Sequence, residues 1–210
     1  MSNRLKRRDV LAGAGALMAA GRAFGQTPTP PVPPTPPIVF VTLRTEAGNI
    51  GMVLEMAKAP ITAGNFLHYI TEKRLDGGTF YRSMRAPTPG GPPYGIIQGG
   101  SDRAKPRFPP IAHEPTTQTG LSHTRGAVAL ANGGPGTATS DFYICIGGME
   151  GLDAKGTEPG FAVFGHVVDG MDVVEKIHQM ATVEDAPNPA MKGQMLGAPV
   201  KILQATKLGG

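Results

Sequence analysis

Gly126 to Gly148, GAVALANGGPGTATSDFYICIGG, is the stretch whose reading decides the fold. Ala127–Ala131 and Phe142–Ile146 are short apolar runs, rich in the β-branched and aromatic residues that favour strands and bounded by the Gly and Pro that punctuate them. The loop of Gly, Pro, Thr, Ala and Ser between them is too long for a two-residue hairpin turn. Small-residue loops let a backbone approach a ligand closely, although a plain connection is the alternative reading.

Working outward toward the N-terminus, Ile38–Arg44 (IVFVTLR) and Ile50–Met56 (IGMVLEM) read as strands joined by a hairpin loop over Thr45–Asn49. Pro60 marks a helix start and Thr62 a candidate N-cap, while Ile61, Phe66, Leu67 and Ile70 fall near one face. This spacing predicts an amphipathic helix over Thr62–Lys73. Strands are expected again at Thr79–Arg82 and Tyr94–Gln98, separated by the insertion Ala86–Pro93 (APTPGGPP). Ser101–Thr124 is polar and rich in Pro and His, and reads as a long surface excursion.

Toward the C-terminus, Phe161–Val168 (FAVFGHVV) is a strong strand and Val200–Lys207 the last one. Met171, Val174, Ile177 and Met180 mark a second helix, with Asp169 and Asp172 near its positive N-terminal end. Strands dominate, and two helices are too few for a βαβ series. The expected fold is therefore mainly β, a closed eight-stranded antiparallel barrel capped by two α-helices. Such a barrel is filled by its own side chains or holds one small ligand, so a larger partner binds outside.

The net charge of +4 suggests nucleic acid until its position is considered. Residues 1–25 hold five basic groups (Arg4, Lys6, Arg7, Arg8 and Arg22) against Asp9, which leaves 15 basic and 15 acidic residues in the remainder. A neutral body has no footprint for phosphate backbones, which argues against a nucleic-acid partner. The leader itself has a basic start, an apolar run from Val10 to Ala20 too short to span a bilayer, and small residues at Ala23 and Gly25. Arg7-Arg8-Asp9-Val10-Leu11 resembles the twin-arginine export motif; a general secretory signal is the alternative. The expectation is an export signal at 1–25, a Pro-rich polyproline II spacer at 26–37 and one domain at 38–208, located in the periplasm with no stable membrane anchor once the signal is removed.

Cys145 is the single cysteine and lies in an apolar run, so it reads as a buried small side chain. Gly133–Ser140 lacks the Gly-Lys-Ser/Thr ending of a phosphate loop, and there is no Gly-x-Ser-x-Gly elbow. His68, His113, His123, His166 and His178 show no close ligand spacing. Neither a metal nor another cofactor is implied.

Phe80-Tyr81-Arg82, Gln98-Gly99-Gly100, Ala131-Asn132-x-Gly134-Pro135, Ser140-x-Phe142-Tyr143-Ile144, Leu152-Asp153 and Val163-Phe164-Gly165 occur in this order. In order and spacing the chain from Ile38 to Lys207 resembles the cyclophilin-type peptidyl-prolyl cis-trans isomerases; Asn65-Phe66 fits as well. The resemblance implies a barrel of eight strands and two helices that turns X–Pro bonds in flexible polypeptides between cis and trans. It implies Arg82 as the catalytic residue, with Ile96, Tyr143 and Leu152 lining a proline pocket and Phe142 behind. Gln98 and Asn132 would bind the substrate backbone, beside Ala131.

The chain departs from the family pattern at four places. Asp141 stands where glutamine is usual, Gly151 where tryptophan is common, Phe161 at the pocket histidine and Gly95 at a pocket phenylalanine. These changes imply a reshaped pocket and weak binding of cyclosporin-like ligands. Asp141, which can only accept hydrogen bonds when ionised, is expected to pair with Arg82 or another arginine. A barrel that binds polypeptide without catalysis is the competing expectation, and a monomer the default state.

Overall fold

The computed structural model describes residues 37–86 and 94–209. Residues 1–36, where an export signal and a spacer are expected, and residues 87–93 of the insertion lie outside the described residues. Strands form at β1 (Val39–Thr45), β2 (Gly48–Leu54), β3 (Thr79–Arg85), β4 (Gly95–Gly100), β5 (Ala127–Leu130), β6 (Phe142–Cys145), β7 (Val163–Asp169), β8 (Thr182–Val183) and β9 (Met195–Leu208). Helices form at α1 (Pro60–Thr71), α2 (Thr116–Thr119) and α3 (Met171–His178).

The pairing order is β1-β2-β7-β5-β6-β4-β3-β9, and a further β1–β9 ladder closes the sheet on itself. All pairs are antiparallel, and the two-residue β8 rides on β9 outside the ring. The fold is thus the expected closed eight-stranded barrel with a few helices. Alternation fills its interior: Val41 and Leu43 of β1, Ile97 of β4, Val128 and Leu130 of β5, and Phe142 and Ile144 of β6 are buried in one core. Phe66 of α1 meets Phe142 edge-on at 5.0 Å and Phe164 at 4.9 Å, so α1 plugs one end with aromatic contacts.

The structure corrects several expectations of detail. The first hairpin turns on Glu46-Ala47 alone, because Thr45 already faces Gly48 and its hydroxyl bridges the turn, accepting from Ala47 N–H at 3.1 Å and donating to the Gly48 carbonyl at 2.7 Å. Helix α1 begins at Pro60, not Thr62, and Thr62 is not its N-cap. The carboxylate of Glu114 caps it from a distant loop, accepting from the amides of Ile61 (3.2 Å) and Thr62 (2.7 Å) and from the Thr62 hydroxyl (2.6 Å). Ile61 is consequently exposed, and Thr62, Ala63, Asn65, Phe66, Tyr69 and Ile70 face inward.

Ser101–Thr124 is not a mere surface excursion, since Ser101, Glu114, Thr116, Thr119 and His123 are buried. Each is buried with a hydrogen-bonding partner, as buried polar groups must be. The C-terminal end of α3 also docks on β3: Ser83 Oγ and Arg85 Nε both donate to the His178 carbonyl at 2.8 Å.

Candidate active site

Residues that alternate with the barrel core point outward, and on β3, β4, β6 and β5 they converge. Arg82 lies opposite Gln98, Gln98 opposite Tyr143, and Tyr143 opposite Ala129, so one transverse row crosses four strands. Strict alternation from inward-facing Phe80 would send Arg82 inward as well. A β-bulge prevents this, because Tyr81 and Arg82 together oppose Gln98. The Gln98 amide serves both bulge residues: its Oε1 accepts from Arg82 Nη1 at 2.7 Å and its Nε2 donates to the Tyr81 hydroxyl at 2.8 Å.

Next to this row lies a cavity of about 220 Å³, lined by Arg82, Met84, Ile96, Gln98, Ala131, Asn132, Tyr143, Leu152, Phe161 and Met191. That volume is below the ~300–1,000 Å³ of drug-sized sites and suits one small ring. Of the residues singled out from sequence, Arg82, Ile96, Gln98, Ala131, Asn132, Tyr143, Leu152 and Phe161 line it. Phe142 does not; it lies wholly in the barrel core, where Phe66 and Phe80 meet it edge-on.

Asp141 also lies outside this cavity, in an adjoining shallow groove with Tyr81, Arg107 and Thr139. Its partner is Arg107 at 3.1 Å rather than Arg82, and its other oxygen accepts from the Tyr81 hydroxyl at 3.1 Å. Burial, and then the Asp141 charge, push the Tyr81 hydroxyl well above its ordinary range, so it stays protonated and donates. A chain of hydrogen bonds thereby runs from Arg82 through Gln98 and Tyr81 to Asp141 and Arg107.

Arg82 has a second anchor. Its Nε and Nη2 both donate to Gln194 Oε1, at 2.9 and 2.6 Å. With the bond to Gln98, three of the five guanidinium N–H groups are engaged and two are left for an incoming group. Burial lowers the guanidinium's proton affinity, opposed by Tyr81, but from so high a starting point that it remains cationic at neutral pH.

Tyr143 forms the floor from below. His123, fully buried, places Nδ1 2.5 Å from Asp153 Oδ1 and Nε2 2.9 Å from the Tyr143 hydroxyl. Asp153 can only accept, so Nδ1 carries the proton and Nε2 accepts from Tyr143. Burial disfavours the charged ring and lowers its proton affinity against the pull of Asp153 and Glu150. Burial likewise raises the Tyr143 hydroxyl far above its ordinary range, which keeps it a donor. Ser122 Oγ also donates to Asp153, and the three residues hold the Tyr143 ring in place.

The loop of the opening stretch is folded by its own side chains. Asn132 Oδ1 accepts from Gly134 N–H at 3.0 Å, leaving Nδ2 as its remaining side-chain polar group. Asn65 Nδ2 donates to the Thr139 carbonyl at 2.7 Å and ties the loop to α1. Gly95 adopts φ +145°, and a Cβ there would lie 2.0 Å from the Met84 carbonyl, so no side chain fits at this position and Met84 supplies the wall. Gly151 lines a wider hollow of about 470 Å³ that shares Asn132, Leu152 and Phe161 with the cavity. Cys145 is buried and its thiol is pushed up to about 12 by burial, which rules out a nucleophilic thiolate.

Sequence reasoning missed Met84, Met191 and Gln194. Met84 was within reach, two residues beyond Arg82 on the same face of β3. Met191 and Gln194 arrive from a loop more than a hundred residues away in the chain, and nothing local announces them.

Residues 40–204 match the family model described as cyclophilin type peptidyl-prolyl cis-trans isomerase/CLD. A peptidyl-prolyl cis-trans isomerase of Acinetobacter baylyi is 38% identical over 147 residues, covering 68% of this chain and 73% of that protein. Peptidyl-prolyl cis-trans isomerase A of Dickeya dadantii is 36% identical over 176 residues, covering 81% and 87%. A solved cyclophilin type isomerase of Cryptosporidium parvum superposes with a TM-score of 0.59 at 18% identity, covering 82% of this chain and 99% of that one; at that identity the likeness speaks for the fold alone.

Proposed function

This chain belongs to the cyclophilin-type peptidyl-prolyl cis-trans isomerase family, and from that premise we propose that it accelerates cis/trans rotation of X–Pro bonds in flexible polypeptides through Arg82. The observation that carries this reading is a cationic guanidinium, anchored on two sides, at the rim of a small apolar cavity with two N–H groups still available.

Rotation about the peptide bond breaks amide resonance, with a barrier of ~18–20 kcal/mol. As the bond twists, the prolyl nitrogen becomes pyramidal and its lone pair becomes able to accept. Arg82 donates to it there and stabilises the twisted state more than the planar one, which is what acceleration requires. Ile96, Tyr143, Leu152, Phe161 and the methionines hold the proline ring while the preceding segment turns. Gln98 and Asn132 offer amide groups to the substrate backbone. No covalent bond to the enzyme forms, so the reaction calls for no nucleophile.

Exchange spectroscopy on an Ala-Pro peptide tests the reading. The protein is expected to accelerate exchange, and Arg82→Ala to lower kcat/KM about a hundredfold, the scale on which single transition-state donors act, with the fold retained. Full acceleration in Arg82→Ala removes the role assigned to it. Peptide binding with no acceleration in the wild type makes the barrel a binding module instead.

The place of action belongs to the same proposal: export by the twin-arginine route, and assistance to protein folding in the periplasm. Arg7-Arg8 ahead of a short apolar run supports it. The N-terminus of the exported form is then expected near Gln26, and a start at Met1 or Ser2 contradicts it.

A further inference from the structure

The segment between β8 and β9 plays no part in the family resemblance at the site, yet it reaches the reacting end of the cavity. Asn188 Oδ1 accepts from Ala190 N–H at 3.0 Å and opens a 3-10 turn over Pro189–Met191. Gln194 N–H donates to the Met191 carbonyl at 3.0 Å, and its own carbonyl accepts from Ser83 N–H at 2.8 Å, which ties the segment to β3 one residue beyond Arg82. The Gln194 amide is oriented in turn, since its Nε2 donates to the Ala190 carbonyl at 3.3 Å. Its Oε1 therefore points at Arg82, where it takes both Nε–H and Nη2–H.

We infer that Gln194 is a positioning residue: a neutral acceptor that fixes the plane of the Arg82 guanidinium while leaving its positive charge uncancelled. An arginine left alone spreads over many rotamers, and each lost alternative raises the fraction of encounters in which a donor meets the prolyl nitrogen. A carboxylate in this place would orient the fork equally well but would pair with the charge that the twisted amide needs. Gln98 alone cannot fix the plane, because it holds only Nη1. The inference rests on the isomerase reading above and names what makes its donor effective.

Gln194→Met keeps the length of the side chain and deletes the acceptor. On an Ala-Pro peptide kcat is expected to fall about tenfold, the worth of a hydrogen bond to a charged group, with KM nearly unchanged. The Arg82 Nε–H resonance is expected to exchange slowly with water in the wild type and fast in Gln194→Met. Gln194→Glu restores that protected resonance without restoring kcat, a separation that a merely structural role would not produce. Gln194→Leu repeats the deletion should Gln194→Met fail to fold. Wild-type kcat in either deletion, an unchanged Arg82 Nε–H resonance, or full kcat in Gln194→Glu overturns the inference. Arg82→Ala separates the two claims. If it keeps the rate, the isomerase role of Arg82 fails; if it loses the rate while Gln194→Met does not, only the positioning role fails.

Discussion

Phe142 and Tyr143 are neighbours on β6, but they belong to different parts of the molecule. Phe142 is sealed in the barrel interior among Phe66 and Phe80, where contacts are apolar and aromatic. Tyr143 lies on the outer face with Ile96, Ala129, Cys145 and Val163, nearly as buried, but its hydroxyl is held by His123 and its ring faces the cavity. Both regions are apolar and well packed. Packing alone holds the first, whereas packing laid over a hydrogen-bonded frame holds the second, and only the second presents polar groups at its rim. Burial by itself therefore does not distinguish scaffold from site; what the buried side chains are bonded to does.

The largest effect that would sharpen this contrast is on stability. Phe142→Ala is expected to lower the unfolding free energy by about 3–5 kcal/mol, because a cavity opens where three aromatic rings meet. Urea denaturation measures it. A loss below about 1 kcal/mol would show that the interior is no more tightly packed than the outer face.

Tyr143→Phe is the smaller, outer counterpart. It keeps the ring and removes a donor, leaving His123 Nε2 buried without its partner, at a cost of about 1–3 kcal/mol. The ring that walls the cavity loses the bond that holds it, so kcat/KM is expected to fall modestly along with stability. A variant as stable as the wild type would mean that the frame beneath the site does not contribute to holding it.

The smallest effect is a drift with pH. Burial lowers the proton affinity of His123, against the pull of Asp153 and Glu150. It also lowers that of His178, which the Met84 carbonyl and Glu175 oppose and Arg85 reinforces. The unfolded chain therefore binds more protons than the folded one below about pH 6.5, the ordinary histidine value. Stability from these rings is complete above that pH and is lost as pH falls toward their lower folded-state values. Asp153 acts in the same direction at lower pH. Burial works against its charge, but hydrogen bonds from Ser122 and from the ring and amide of His123 hold its carboxyl below the usual carboxylate range. Melting temperatures from pH 7.5 to 5 should decline, and a flat profile would contradict the burial of neutral rings.

Much of this was legible along the chain. Period-two burial in β1 and the short apolar runs of β5 and β6 are local patterns, and they are enough to mark strands. Eight of the residues singled out for the site do line the cavity. Local pattern misleads where a distant group takes over a local task. Thr62 looks like an N-cap by type and spacing, but Glu114 does the capping. Ser101–Thr124 looks like solvent-facing chain by composition, but it supplies Glu114 and the buried His123.

By itself, the sequence determined that strands would dominate, that arginine, glutamine and tyrosine lie on strands with asparagine in the loop after one of them, and which family the motifs resemble. These properties follow from residue type and short-range periodicity, which act within a few residues. Tertiary structure alone decided that Arg82 faces outward, because the bulge at Tyr81 arises only when β3 pairs with its neighbours β4 and β9. It alone decided that Asp141 meets Arg107 and that Gln194 meets Arg82. Those contacts depend on register and chain closure over long separations, and no local pattern encodes them.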